Sequence, residues 1–170
     1  TFMPKPIEGL TGNGCHAHIS VWDGAGNAAK TNVFVDDAMD LGLSQSGRHF
    51  LGGIMKHASA LAAITNPTVN SYKRINAPRT MSGATWAPNT VTWTSNNRTH
   101  MVRVPGPGRF ELRLPDGAAN PYLLQAVIIA AGLDAWCASK SSDSPRGRRM
   151  VAPWTLWRDG AGQERLVRVR

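Results

Sequence analysis

Only two of the 170 residues are cysteine, Cys15 and Cys137. They are too few for a disulfide framework and too far apart for a CxxC metal knuckle. No basic, apolar leader precedes Thr1-Phe2-Met3-Pro4, so the chain reads as a cytoplasmic protein and as a piece of a longer one. Long apolar runs are missing too. The longest, around residues 126–133, falls short of the roughly 18–20 residues that cross a bilayer, which argues against a membrane partner. Charged residues make up 18% against 42% hydrophobic, which excludes a disordered tail and a heptad coiled coil and leaves about one folded domain. Acidic residues are the scarcest of all, 11 Asp and Glu against 19 Lys and Arg, and none lies between Leu41 and Phe110.

The net charge of +8 invites a nucleic-acid reading until it is located. Residues 1–134 carry only +3, while residues 135–170 carry +5 and three of the six tryptophans. The patterned region is therefore nearly neutral, its aromatics form no stacking strip, and nucleic acid is an unlikely partner. The tail shows no sustained helix or strand period. A basic RNA-binding module stays as the alternative of another class, and RNA binding that survives removal of the tail is the observation favouring it.

Residues 15–22 (CHAHISVW) alternate, with His16, His18, Ser20 and Trp22 on one side and Cys15, Ala17, Ile19 and Val21 on the other, which predicts a strand with one polar face. A Gly, Asn and Asp-rich loop follows over 23–40. Apolar spacing predicts a helix over 44–65, ended by Asn66-Pro67. Residues 66–74 read as a polar, turn-rich segment, and 75–97 as a long loop with a short strand near 90–94, the kind of loop that often serves as a functional lid. Strands are expected at 98–104 and 109–114, joined by the Pro-Gly-Pro-Gly turn at 105–108. Asn120 as N-cap and Pro121 at the first helical position predict an apolar helix over 122–133. The fold class is α+β, an antiparallel sheet with a polar catalytic face packed by apolar helices.

Three groups carry candidate chemistry. His16 and His18, about 7 Å apart on one strand face, can address one metal or metal-bound ligand, or equally be half-buried strand residues with hydrogen-bonded partners. Arg109, Glu111 and Arg113 share a face, and Arg98 and Arg103 precede them. One carboxylate has no need of four guanidiniums, so an anionic ligand is implied, unless the strand is a solvated, cross-paired surface. Carboxylate plus imidazole suits Mg²⁺ or Mn²⁺ better than zinc. The basic pair Lys73-Arg74 offers a further anion contact.

In order, FMPKP (2–6), GNGCHAHIS (12–20), NPTVNSYKR (66–74), NNRTHMVRVP (96–105) and RFELRLPDGAANPYL (109–123) resemble the C-terminal part of the glutamine synthetase catalytic domain. The resemblance extends over residues 1–134 and to a divergent branch of the family, γ-glutamylmethylamide synthetases and type III rhizobial-like glutamine synthetases. It implies an ATP-dependent ligase of nitrogen metabolism that joins the side-chain carboxylate of glutamate to ammonia through a γ-glutamyl phosphate, or in that branch to methylamine or another amine. It also implies Mg²⁺ or Mn²⁺, ATP as co-substrate and a homo-oligomeric ring. Residue by residue, His16 and Glu111 would bind metal, and His18 and Ser20 the nucleotide. Arg98, Arg103 and Arg109 would lie along the phosphates, Arg98 and Arg103 as catalytic residues, while Gly12, Arg74 and Arg113 would hold glutamate.

Two departures stand out. The family's flap glutamate, which accepts a proton from ammonium, is expected after the Lys-Arg pair, where INAPRTMSGATWAPN has no carboxylate, and Thr11 replaces an asparagine. The resemblance also implies metal-binding glutamates upstream of residue 2, so the 170-residue piece is expected to be inactive alone. A non-catalytic relative is the remaining alternative, and the HxHxS and RxExR faces argue against it. Residues 135–170 read as a shifted, non-native frame, a hypothesis that fails if the other frames of the coding DNA hold no family-like continuation.

Overall fold

The computed structural model describes residues 1–24, 30–78 and 86–142, with side chains through residue 139, and the backbone of residues 154–158 and 164–168. Parts of the expected 23–40 and 75–97 loops, including the centre of the flap, and most of the tail lie outside these residues.

In chain order the elements are β1 (Ala17–Ile19), β2 (Trp22–Asp23), β3 (Thr31–Asn32), α1 (Gln45–Lys56), α2 (Ala58–Thr65) and α3 (Val69–Ile75). Then come β4 (Trp93–Thr94), β5 (Val102–Gly106), β6 (Arg109–Leu112), α4 (Pro121–Ser142), β7 (Trp154–Arg158) and β8 (Glu164–Arg168). The class is α+β. The main sheet runs β1-β6-β5-β4, antiparallel at its first two pairings and parallel between β4 and β5, so it is mixed rather than wholly antiparallel.

The polar and apolar faces of the first strand alternate as expected, since Ala17, Ile19 and Val21 pack on the core while His16, His18 and Ser20 are exposed. The ladder is shorter than residues 15–22, because the chain leaves the main sheet after Ile19 and pairs Trp22 with Asn32 in a separate ribbon. The expected helix over 44–65 is two helices. Ser44 caps the first, its hydroxyl accepting from the Gly47 N–H at 3.2 Å. The break at His57 lets His57 and Lys56 both reach Asp134 on α4, at 2.9 and 2.6 Å.

Residues 66–74, expected as a turn-rich segment, contain the helix α3. Thr68 and Ser71 form a reciprocal capping box, each hydroxyl accepting from the other's backbone N–H at 3.2 Å. The signal was easy to miss because the third residue is Ser rather than the usual Glu or Gln. The consequence is functional, since one helical turn carries Arg74 inward, to 4% exposure.

The strand expected from residue 98 starts at Val102, because residues 98–101 form a turn and bend, and its partner ends at Leu112 rather than 114. Gly108, at φ +69°, closes the hairpin between them in the left-handed region that glycine tolerates best. α4 continues past residue 133, and its stretch Pro121–Ser139 is long and apolar enough to cross a membrane by length and composition. The run-length argument against a span therefore does not hold for this helix. Its inner face, Leu124, Ile128 and Ala131, is buried in the core. β7 and β8 pair antiparallel in register within the tail, where no strand period was evident.

The core joins all layers. Phe34, Phe50 of α1 and Phe110 of β6 pack with ring centroids 5.4 to 6.2 Å apart, and Trp93, Leu112 and Ile54 surround them at 2% exposure or less. Burying each such side chain stabilises the fold by roughly 1.5–3 kcal/mol.

His100 is 4% exposed and its Nδ1 is buried without a hydrogen-bond partner among the described residues. Burial lowers its pKa below the usual 6.5. The unfolded chain then binds a proton that the folded chain refuses, so stability is complete above about pH 6.5 and declines as pH falls below it. The expected result is a free energy of unfolding that drops between pH 6.5 and 5, by at most about 1.4 kcal/mol per pH unit from this group. Urea midpoints across that range should show a shallower slope in His100→Gln, and an unchanged slope would refute the assignment.

Candidate active site

Three strands set three polar residues side by side. On β1, β6 and β5 the register places His18 opposite Glu111 and Glu111 opposite Arg103. Glu111 is 3% exposed, which sets aside the solvated, cross-paired surface and leaves the carboxylate held among guanidiniums. The carboxylate is saturated with cationic partners. Its Oε2 accepts from Arg103 Nη1 at 2.7 Å, and its Oε1 accepts from Arg113 Nη1 at 2.9 Å and lies 2.9 Å from His16 Nδ1. Burial pushes the Glu111 pKa up, but the Arg103 hydrogen bond and the charges of Arg113, His16 and Arg103 prevail and hold it below the ordinary carboxylate value.

His16 is shifted down, by burial first and then by Arg113, against the opposing pull of Glu111. A neutral imidazole that donates Nδ1–H to Glu111 leaves its Nε2 lone pair available, an assignment made from the hydrogen-bond geometry. Asn96 Oδ1 accepts from Arg103 Nε at 2.8 Å and also from its Nη2, fixing the plane of a guanidinium whose remaining nitrogen holds Glu111. Asn96 was not among the expected site residues, and the fork geometry that selects it is invisible in one dimension.

Beside this cluster is a cavity of about 200 Å³ whose walls include Gly12, His16, Arg74 and Arg113. Arg74 donates to the carbonyl oxygens of Leu114 at 3.0 Å and Arg113 at 3.4 Å. Burial lowers its pKa, opposed by the carboxylate of Asp116. Asp116, itself fully buried, accepts from Asn66 Nδ2 at 2.9 Å, which ties the end of α2 to the chain leaving β6. Neither Asn66 nor Asp116 was singled out from sequence. The 2–6 segment is fastened here as well, with the Lys5 N–H donating to Asn70 Oδ1 at 2.6 Å and Asn70 Nδ2 to the Lys5 carbonyl at 2.9 Å. Gly12 has a packing reason beside its place in the wall, since a Cβ there would collide with the Pro4 carbonyl oxygen. Trp86, Ala87, Thr11 and Gly14 complete the lining.

The other expected residues sit further out. His18 is exposed on β1 next to Glu111. Ser20 lies beyond β1, where its Oγ accepts from Trp22 Nε1 at 3.0 Å. Arg98 is exposed in the turn before β5, near enough to Arg113 to act on it electrostatically. Arg109 is exposed at the start of β6, two residues from Glu111. Four of the expected residues thus meet directly or through shared partners, His16, Arg103, Glu111 and Arg113, while Gly12 and Arg74 join them around the cavity.

A divalent cation does not find a complete site in these residues. His16 and Glu111 offer two donors at one point, and no group of three His, Cys, Asp or Glu placed to hold a metal exists among the described residues. Both oxygens of Glu111 are already engaged by guanidiniums. What the arrangement can do by itself is bind anions, through Arg74 and Arg113 at the cavity and Arg103 beside it. The Nε of Arg113 is buried without a partner among the described residues, a donor that its own neighbours leave unsatisfied.

The profile described as the glutamine synthetase catalytic domain matches residues 1–140. A glutamine synthetase of Rhizobium meliloti (strain 1021) is 82% identical over 133 residues, covering 78% of this chain and 30% of the relative. A glutamate–methylamine ligase of Methyloversatilis universalis is 44% identical over 164 residues, covering 95% of this chain and 36% of the relative. Among solved structures, a GmaS/ADP complex superposes with a TM-score of 0.71 at 58% identity, over 89% of this chain and 33% of that one. The chain spans about a third of the length of these relatives. With the polar strand face, the cavity walled by Arg74 and Arg113 and the core all in residues 1–140, the chain belongs to the glutamine synthetase catalytic-domain family.

Proposed function

We propose that this chain is the C-terminal catalytic segment of an ATP-dependent ligase that makes a γ-glutamyl amide. The observation that carries the reading is the cluster of Arg103, Arg113 and His16 on one buried carboxylate, Glu111, beside a cavity whose cationic walls suit a carboxylate substrate. In the reaction a side-chain oxygen of glutamate attacks the γ-phosphorus of ATP and ADP leaves. An amine nitrogen then gives its lone pair to the acyl carbon, forming the C–N bond, the bond from that carbon to the phosphate oxygen breaks, phosphate departs with the electrons of the broken C–O bond, and the nitrogen releases a proton to solvent.

In this reading Arg74 and Arg113 hold glutamate, with the Gly12 backbone as part of the wall. Arg103, Arg98 and Arg109 lie along the phosphates and balance the charge that builds on the transferring group. His18 and Ser20 lie toward the nucleotide. His16 and Glu111 contribute part of a Mg²⁺ or Mn²⁺ site whose other ligands come from outside this chain, and such an ion supplies Lewis acidity when bound. A cytoplasmic, ring-forming homo-oligomer is part of the proposal, as is a boundary near residue 134.

Ammonia, giving glutamine, is the reading supported by the Rhizobium relative, and a small primary amine is the one supported by the glutamate–methylamine ligase. Both share the same test. ADP release by the full-length ligase should require glutamate together with either ammonium or methylamine, and should fall to the blank when either glutamate or amine is withheld. Absence of glutamate-dependent release with both amines would reject the ligase reading in favour of a non-catalytic relative.

A further inference from the structure

Resting on the ligase reading, in which Arg74 holds glutamate, we infer that Asp116 is a positioning residue for that substrate, because together with Asn66 it fixes the Arg74 guanidinium before glutamate arrives. Among the described residues two carboxylates are buried, Glu111 and Asp116. They divide the two arginines of the cavity wall between them. Glu111 accepts from Arg113, and its oxygens are further engaged by Arg103 and His16. Arg74, 4% exposed, donates to the carbonyls of Leu114 and Arg113, and Asp116 is the carboxylate that acts on its charge.

Asp116 is itself held from three sides. Its Oδ2 accepts from Asn66 Nδ2 at 2.9 Å, its Oδ1 from the Ala118 N–H at 3.0 Å, and its own N–H donates to the Thr65 carbonyl at 3.2 Å. Asn66 in turn accepts from Thr65 Oγ1 at 2.7 Å and donates to the Leu114 carbonyl at 2.9 Å, the same oxygen that receives Arg74 Nη1. One carbonyl therefore gathers the amide that grips Asp116 and the guanidinium that Asp116 influences. Burial disfavours the Arg74 charge, and the Asp116 carboxylate is the largest influence opposing it. An arginine free to rotate loses that freedom when it binds a carboxylate, whereas one fixed beforehand spends less of the contact on ordering. Asp116 stands outside the cavity wall, so what it does for glutamate passes through Arg74.

The test measures kcat, KM for glutamate and KM for ATP of the full-length ligase in wild type and Asp116→Asn, together with the urea midpoint. Asp116→Asn keeps the volume and one acceptor and removes the charge. It should raise KM for glutamate about tenfold, the scale of one hydrogen bond to a charged group, while kcat and KM for ATP hold, because the lost contact serves ground and transition states alike. Glutamate dissociation constants of Arg74→Ala and of the double variant complete a cycle. Asp116→Asn should add nothing to the loss caused by Arg74→Ala, since both act through one guanidinium. Where Asp116→Asn does not fold, Asn66→Ala decides, since it leaves the charge, releases its hold and should raise the same KM by a smaller factor. A lower kcat or urea midpoint with an unchanged KM for glutamate, or a full additive loss in the Arg74→Ala background, would make Asp116 a structural tie between α2 and β6 and overturn the inference. Those outcomes leave the ligase reading standing, whereas absence of glutamate-dependent turnover in wild type with every amine overturns both.

Discussion

Replacing Glu111 with Ala is expected to reduce glutamate-dependent ATP turnover of the full-length ligase by about 10²-fold or more, the scale of loss when reacting groups are displaced by about 1 Å. The reason is the number of groups that lean on this one carboxylate. Arg113, 4% exposed, and Arg103, with 15% of its side chain exposed, would face each other and His16 with no anion between them. Removing one partner of a buried pair costs about 3–5 kcal/mol, because the remaining charges stay desolvated. Stability should fall along with activity. Glu111→Gln separates the two effects. It keeps the volume and an oxygen for Arg103, so the urea midpoint should recover part of the loss while turnover stays low for want of the charge. Near-normal turnover in either variant would show that the Arg103–Glu111–Arg113 cluster is a structural ion pair only.

The second large effect concerns a residue far from the chemistry. At Gly53 on α1 an added Cβ would collide with the backbone carbonyl oxygen of Ala131 on α4, and one at Gly132 would collide with the ring of Phe50. The two helices interlock through these missing side chains. Alanine is ordinarily the better helix former by about 1 kcal/mol, so Gly53→Ala sets propensity against packing. Packing should win. The obstructing atom is helix backbone rather than the end of a flexible side chain, and overpacking of this kind costs about 1–3 kcal/mol. Gly52→Ala is the matched control, since nothing lies within 4 Å of its Cβ position, and it should be neutral or slightly stabilising. A Gly53→Ala variant as stable as wild type would mean that α1 and α4 separate easily. Because Phe50 packs on Phe110, next to Glu111 on β6, separation should also disturb the site.

Part of this molecule was legible residue by residue. Strict alternation over residues 15–22 identified the polar and apolar faces of β1, because the side-chain period of a strand depends only on backbone geometry. Asn120-Pro121 marked the start of α4, and Pro-Gly-Pro-Gly the hairpin, because caps and turns are local events. The run from Arg109 to Arg113 exposed the Glu111 cluster for the same reason.

What one dimension left open were the consequences of long-range packing. Burial of Glu111 and Arg113 to 3% and 4% follows from β6 lying between β1 and β5, a pairing that no local pattern encodes. Arg74 reaches the cavity because α3 is a helix docked against Leu114 and Asp116, forty and more residues away. Asn96 and Trp86 enter the site from segments without periodicity, and the parallel pairing of β4 with β5 joins strands that only the folded chain brings together. Chemistry-bearing residue types and strand faces are thus local properties of the chain. Which of those residues share one desolvated cluster, and which are left in water, is decided by the tertiary fold, since desolvation is a property of everything packed around a group rather than of its neighbours in sequence.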